Sequence, residues 1–437
     1  MKTKIAILFL TIPLLILASS AVYAQKIEIG PDGYGRGKLS NDITILYNVD
    51  KSTSLTGGRI LIGGGVISET AADNGVSNLM INMLLKGNDR MNASQITERL
   101  DFLGAQVTAE AFRDYEAISF VCLSKNLPDV VDILSRCVTA PTFPEEELDK
   151  LKAQAVGDIK SDNDNQATAS SILFWKTLYG DNGYGLPIRG TEESIANIDT
   201  ATLRNYYKKY FGGNNIIIAL ATDLTPDKTV PLLNKFASLP NQVTGMSAPN
   251  LPLQTDREGF VQYDRNQSFI FLGLALPHLS PHDALMLGII NDAMGANVGS
   301  RLWGLRQQEK LAYNVYSQYG LDRYGGIFRA AIGTDTSKVT MALASLIREF
   351  RKLYDGGITE AELTDSKVNV KKNLIYRIEA KGNRAGQMAS NEYIGYGYKF
   401  VYDLMKGIDE VTATELNQFI ADNLNPDKLY LAIVGKK

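Results

Sequence analysis

The sequence predicts an α+β protein of two homologous halves, each with a mostly antiparallel sheet that carries helices on one face. Three observations support this prediction. The chain has 437 residues, 45% hydrophobic and 21% charged, which is typical of a large soluble globular protein with two or more domains. Short apolar strands alternate with amphipathic helices along the chain. Patterns found in the first half recur in the second half.

The repeat is clearest towards the end of each half. The segment IDTATLRNYYKKYFGGNNIIIALAT, from Ile198, resembles VTATELNQFIADNLNPDKLYLAIVG, from Val411. Both predict a polar start, an amphipathic helix, a turn and a strand. Upstream, PEEELDKLKAQ from Pro144 matches TEAELTDSKVN, where Thr359 and Glu362 form a capping box.

A strand and a long helix precede each of these segments. Residues 117–123 predict a strand and 129–137 a helix, and the pattern returns at 326–332 and 338–353. Each half thus holds the same order of elements.

These patterns define the domain boundaries. The halves span residues 25–239 and 259–437, and the proline-containing stretch 240–258 between them has little apolar periodicity, which predicts a linker. Short strands at 43–47 and 58–63 are predicted to be joined antiparallel. Two such halves on a linker are expected to face each other across a cleft.

The N-terminus predicts a secretory signal peptide over residues 1–24. Lys2 and Lys4 precede an apolar run that is short for a bilayer span, and small residues end the segment at Ala24. An uncleaved anchor is the alternative. Cleavage after Ala24 predicts a mildly acidic periplasmic protein that no membrane holds.

Charge and composition limit the partners. Lys and Arg number 45 against 48 Asp and Glu, with no basic stripe, so nucleic acid is not an expected partner. The chain has only two cysteines, Cys122 and Cys137, and two histidines, His278 and His282. The chain therefore has too few cysteines and histidines for a typical Cys/His metal cluster. The cysteines are expected to be buried and unpaired, with a disulfide as the alternative.

Four segments resemble the M16 peptidases, which include pitrilysin, insulin-degrading enzyme and the mitochondrial processing peptidase. They are NGVSNLMINMLLKGN from Asn74, LDFLGAQVTAE from Leu100, YGLPIRGTEESI from Tyr184 and GSRLWGLRQQEKLAYNVYS from Gly299. They occur in family order and span both halves. The resemblance implies the family's fold, that of LuxS and the processing peptidase, with two α/β-sandwich halves.

Active members of the family carry the inverted zinc motif His-x-x-Glu-His on a helix. Here Asn78, Ile81 and Asn82 occupy those positions, and the third family ligand falls near Gly157 or Asp158. A carboxamide is a poor zinc ligand and isoleucine cannot move a proton, so no metal is expected on this chain.

The second half keeps another family feature. Arg306 and Tyr313 stand seven residues apart, where the resemblance implies that the arginine binds substrate backbone and the tyrosine assists the scissile carbonyl. Spacing alone also allows a surface arginine and a partly buried strand tyrosine. A substrate-facing asparagine of the family is changed to Thr108.

The resemblance therefore implies a non-catalytic, substrate-binding subunit of a periplasmic heterodimeric zinc metallopeptidase. Zinc is expected on a homologous partner subunit with an intact inverted motif, and the substrate is an extended or unfolded peptide. The alternative is a non-enzymatic scaffold or peptide-binding protein on the same fold.

Overall fold

The computed structural model describes residues 27–243 and 249–436. The expected signal peptide lies outside these residues, as does part of the predicted 240–258 linker. Within the described residues the strands form two sheets, one of six strands and one of five. No helix in this part of the chain combines the length and hydropathy that a bilayer span requires.

The first sheet is built from residues of the first half. Its strands are β1 (Tyr34–Lys38), β2 (Thr44–Val49), β3 (Leu55–Gly63), β4 (Gln106–Ala111), β5 (Tyr115–Leu123) and β6 (Ile216–Thr222). Their order is β1-β2-β6-β3-β5-β4, antiparallel throughout except for the parallel pair β2 and β6. β4 is therefore an edge strand.

One sequence expectation about this sheet holds only in part. The strands at 43–47 and 58–63 run in opposite directions as expected, but they are not neighbours, because β6 lies between β2 and β3 and pairs with both. β6 reads IIIALAT and buries all seven residues. A strand that is apolar on both faces belongs in the interior of a sheet, which accounts for its place.

All the helices of the first half except α5 cover one face of this sheet. The helices of this half are α1 (Val76–Met83), α2 (Ala93–Phe102), α3 (Leu127–Thr139), α4 (Glu145–Asp164), α5 (Gln166–Tyr179), α6 (Glu192–Asn197), α7 (Thr200–Tyr210) and α8 (Pro226–Leu233). With the exception of α5, their apolar residues join a core that includes Ile45, Ile60 and Ile218 from the sheet.

The second sheet repeats the topology of the first. Its strands are β7 (Glu258–Gln262), β8 (Gln267–Leu276), β9 (Asn314–Asp322), β10 (Gly325–Asp335) and β11 (Tyr430–Gly435). Their order is β7-β11-β8-β10-β9, and β7 pairs parallel with β11 as β2 pairs with β6. The predicted pair of homologous halves is therefore present, and the second lacks only a counterpart of β1 among the described residues.

The helices of the second half follow the same plan. They are α9 (Pro281–Asn291), α10 (Trp303–Gln307), α11 (Val339–Gly356), α12 (Glu360–Glu379), α13 (Lys381–Ile394), α14 (Phe400–Gly407) and α15 (Ala413–Asn423). The core between these helices and the second sheet includes Leu287, Leu346 and Phe419.

The two halves exchange one helix each. α5 of the first half packs on the second sheet, where Phe174 and Leu178 join Phe271 in one apolar cluster. α13 of the second half packs on the first sheet, where Met388 joins Leu46 in another. Each exchanged helix has 14 residues and follows a helix of 20 residues. Each sheet is thus covered on its second face by a helix from the other half.

Polar contacts hold the exchanged helix α13 in place. The Lys381 ammonium donates to the backbone oxygens of Asp50 and Thr53, both at 2.7 Å, and of Leu55 at 3.0 Å. Arg384 pairs with the Asp50 carboxylate at 3.0 Å. The loop between β2 and β3 is therefore fixed by the second half of the chain.

Candidate functional site

A buried carboxylate fixes the start of α1, the helix that carries the altered zinc motif. Glu69 accepts hydrogen bonds from the backbone N–H groups of Gly75 and Ser77, at 2.8 and 2.9 Å, and from the Asn74 amide at 2.7 Å. Burial raises the pKa of Glu69, against the effect of these donors. Gly75 has φ 94°, a left-handed conformation that suits glycine. These contacts fix the position of the first turn of α1.

The three zinc-motif positions lie on different sides of α1. Asn78 and Asn82 are half-buried and line a cavity, and the Asn82 side-chain amide donates to the backbone oxygen of Asn78 at 2.9 Å. Ile81 has no exposed surface and joins the apolar core. The two carboxamides therefore face the cavity, and the hydrocarbon side chain packs against the sheet.

The structure distinguishes the two candidates for the third position. Gly157 is exposed on α4, whereas Asp158 lines the same cavity as Asn78 and Asn82. The Asp158 carboxylate pairs with Arg189 at 3.3 Å, and Arg189 also pairs with Asp162 at 2.8 Å. A guanidinium therefore already neutralises the one acid at this position.

The cavity beside α1 has a volume of about 1080 Å³. Its walls come from α1, the edge strand β4, α4, α5 and the segment from Gly185 to Glu193. That segment contains most of the family-like sequence YGLPIRGTEESI, so one of the motifs that carries the resemblance forms a wall. Thr108 is exposed on β4 and is not among the residues that line the cavity.

Arg113 is a cavity residue that the sequence analysis missed. Its guanidinium lies 3.8 Å from the centroid of the Trp175 ring and donates to the backbone oxygens of Tyr184 and Leu186. Burial lowers the pKa of Arg113 to about 10. It lies two residues after the end of β4, but nothing in its sequence position distinguishes it from other arginines.

Arg306 and Tyr313 lie at a different place on the chain's surface. Arg306 is exposed on α10, with its guanidinium 5.0 Å from the centroid of the Trp303 ring. Tyr313 is 55% exposed, and its backbone N–H donates to Gly333 at 2.9 Å just before β9 begins. Among the described residues, neither belongs to the wall of the cavity beside α1. Their role in substrate binding stays a prediction.

The residues at the altered motif do not fit zinc. Residues 27–243 and 249–436 contain no group of three or more His, Cys, Asp or Glu side chains placed to hold a metal ion. The amides of Asn78 and Asn82 are weak donors to zinc, and the Asp158 carboxylate is paired. Asn78 and Asn82 can offer hydrogen bonds here, and neither carboxamide can act as a base that activates water.

The two histidines and the two cysteines do not come together as a metal or catalytic site. His278 stacks on Tyr396 at 5.3 Å, and His282 lies in the first turn of α9, 3.9 Å from Glu415. Pro281 is the first residue of α9, a position where proline is favoured. Cys122 and Cys137 are both buried and unpaired.

The fold and site define a two-halved metallopeptidase-like chain in which the metal ligands are replaced. Residues 44–192 match the family profile "Insulinase (Peptidase family M16)", and residues 197–369 match "Peptidase M16 inactive domain". The chain belongs to peptidase family M16.

Similar proteins extend this assignment over nearly the whole chain. A Bacillus subtilis protein, "Uncharacterized zinc protease YmxG", is 26% identical over 403 residues, 92% of this chain and 98% of that protein. A Helicobacter pylori protein, "Non-peptidase homolog YmxG", is 23% identical over 378 residues, 86% of this chain and 87% of that protein.

Two solved structures share the fold. A peptidase M16 inactive domain from Pseudomonas fluorescens has a TM-score of 0.85 and 22% identity, and covers 92% of this chain and 98% of its own. A Helicobacter pylori protease has a TM-score of 0.84 and 17% identity, and covers 92% and 99%. These likenesses confirm the predicted α+β fold of two halves.

Proposed function

We propose that this chain is the non-catalytic, substrate-binding subunit of a periplasmic heterodimeric M16 zinc metallopeptidase. One observation carries the proposal: a large cavity and an open strand edge lie beside a helix that presents Asn78 and Asn82 where metal ligands are expected. A chain that had lost all function would have no reason to keep such a cavity. The periplasmic location rests on the N-terminal sequence pattern.

The substrate is an extended or unfolded peptide. β4 is an edge strand and lines the cavity through Ala109, Glu110 and Ala111. A peptide that adds to such an edge is held by main-chain hydrogen bonds, which makes its sequence preference weak.

The partner is a homologous M16 subunit with an intact inverted zinc motif. Arg306 offers a fork of N–H donors suited to peptide carbonyl groups, and the Tyr313 hydroxyl can donate to an oxyanion as it forms. Both side chains are exposed, as groups that serve a site on another subunit have to be.

The test is peptide cleavage by the purified complex with its zinc-binding partner. We expect Arg306→Ala and Tyr313→Phe each to lower kcat/KM by roughly 10–100-fold, because the first removes donors to the substrate backbone and the second removes a donor to the oxyanion. Arg351→Ala and Tyr376→Phe, at exposed sites on other helices, are matched controls. Full activity in both test variants would refute the shared site.

A scaffold without a catalytic role is the second candidate. The stacking of Arg306 on Trp303 within α10 favours the scaffold, because this contact gives the guanidinium a structural partner within its own helix. An adjacent secreted reading frame with the zinc motif would favour the peptidase subunit, and its absence would favour the scaffold.

A further inference from the structure

Arg329 is a buried arginine without an acidic partner. It lies on β10, on the face that α5 covers, and is 5% exposed. Among the described residues no carboxylate approaches its guanidinium within ion-pair distance, whereas Arg301 pairs with Glu362 at 2.6 Å. A buried charge without a counter-ion is costly, so its retention calls for an explanation.

The groups in direct contact with the Arg329 guanidinium are neutral. Its Nη2 donates to the Ser171 hydroxyl at 2.9 Å, and the rings of Phe271 and Phe174 lie 4.1 and 5.2 Å away. With the Gln318 amide oriented so that its oxygen faces the guanidinium, that oxygen accepts from Nε at 2.7 Å and also from Nη2. Nη1 is buried and has no hydrogen-bond partner.

The backbone beside Arg329 leaves room for its side chain. Gly273 is its neighbour on β8, and a Cβ atom at that position would lie 2.4 Å from the Cβ of Arg329. No larger residue fits opposite Arg329 without displacing it. Cation–π contacts with the two phenylalanine rings offset part of the burial cost, but they leave the hydrogen-bonding capacity of Nη1 unused.

Arg329 lies directly behind the wall of the cavity beside α1. Its partner Ser171 lines that cavity on α5, as does Lys176, and Arg113 lines it from the turn between β4 and β5. The opposite wall, on α4, carries Asp158 and Asp162. Both of these acids pair with Arg189, and Lys176 pairs with Asp181, so these charges on the cavity wall are already paired while the guanidinium of Arg329 behind it is not.

We propose that Arg329 and Ser171 bind a carboxylate group of a peptide held in this cavity. The Gln318 amide oxygen occupies the Nε and Nη2 edge that a carboxylate oxygen takes in a bidentate pair, and Nη1 offers further donors. Gln318 is half-buried on the edge strand β9, and its side chain would have to turn aside to admit the ligand. The inference rests on the proposed function, because it names a feature of that peptide substrate.

The carboxylate has two sources, the C-terminus of a peptide or an Asp or Glu side chain. Three probes separate them: an acetylated Ala-Ser octapeptide with a free C-terminus, its C-terminal amide, and the amide with one internal Asp. Titration calorimetry on the full chain gives the three dissociation constants. If the C-terminus is recognised, we expect the free acid to bind about tenfold more tightly than the plain amide. If a side chain is recognised, we expect the Asp-containing amide to bind about tenfold more tightly than the plain amide.

Variants assign this preference to Arg329. Arg329→Gln is expected to abolish it and leave the affinity for the plain amide unchanged, while Arg329→Lys retains part of it. Arg351→Gln, an exposed arginine on α11, is the control and retains all of it. Should Arg329→Gln fail to fold, the Lys variant and Ser171→Ala, each with a reduced preference, test the same contact.

Two results overturn the inference: no difference among the three probes in the wild-type chain, or a difference that survives in Arg329→Gln. The proposed function fails separately. Absence of cleavage of every probe by the complex would refute the subunit's role, whereas the binding constants of the isolated chain test the carboxylate site alone.

Discussion

The Tyr184 hydroxyl donates to the Asp114 carboxylate, and both residues belong to the first half of the chain. The second oxygen of that carboxylate accepts from the backbone N–H of Arg323 at 2.7 Å, and the backbone N–H of Tyr324 donates to the Tyr184 oxygen at 3.3 Å. Arg323 and Tyr324 form the turn between β9 and β10. One buried carboxylate thus joins the family-like segment at Tyr184 to the second half.

Removal of the Tyr184 hydroxyl should weaken this junction. We expect Tyr184→Phe to lower the free energy of unfolding by about 1–3 kcal/mol, because Asp114 is 2% exposed and would lose a donor that water cannot replace. Urea denaturation measures the change. Tyr376→Phe, at a site 60% exposed, is the control and should change stability by less than about 0.5 kcal/mol.

Stability should fall as the pH rises towards neutrality because of Asp322. Burial, and then the nearby Asp114 carboxylate, raise the pKa of Asp322 to about 7, and Arg113 opposes this. The folded chain therefore holds a proton that the unfolded chain releases near pH 4, so stability is lost between about pH 4 and pH 7 and stays low above that range.

Asp322→Asn isolates this contribution. The variant should be more stable than the wild type above pH 7, by up to about 4 kcal/mol, and the difference should shrink towards pH 4. Urea unfolding from pH 4 to pH 9 measures it. A constant difference at every pH would show that Asp322 does not titrate in this range.

The contact between β3 and the exchanged helix α13 leaves no room for a side chain. A Cβ atom on Gly57 would lie 2.3 Å from the backbone nitrogen of Gly382. We expect Gly57→Ala to destabilise the chain by about 1–3 kcal/mol. Gly157→Ala, with no atom within 4 Å of the new carbon inside α4, should be neutral or stabilising. Thermal unfolding of the two variants tests the close approach.

Restoring the acid of the zinc motif alone should disrupt the fold. Ile81→Glu places a carboxylate where the isoleucine has no exposed surface, and we expect a loss of about 2–5 kcal/mol at neutral pH. Asn82→Glu, which faces the cavity one residue later, should cost much less. Equal denaturation midpoints for the two variants would contradict the orientation of α1 described above.

The sequence was a good guide to what repeats. Apolar periodicity and the paired segments from Ile198 and Val411 predicted two homologous halves, because a helix or strand places its buried residues at a fixed spacing. The assignment of Asn78, Ile81 and Asn82 to the altered motif stays a prediction, which rests on the identity of the side chains because that identity decides whether they can bind zinc.

Features that depend on contacts between distant segments could not be predicted from the sequence. Packing between distant segments decides where β6 lies in its sheet. It also decides on which sheet α5 and α13 bury their apolar faces. The isolation of Arg329 is of the same kind, because the absence of an acid near a guanidinium is a property of the folded chain.

The exchange of α5 and α13 means that the segment 240–258 is not needed to hold the two halves together. Because each half holds a helix of the other in its interior, the covalent link between them is not what keeps them together. A protease that cut this segment would leave two fragments that stay associated and migrate as one particle. It also follows that a hinge motion of the halves about this segment would have to pull each exchanged helix out of the apolar cluster it occupies.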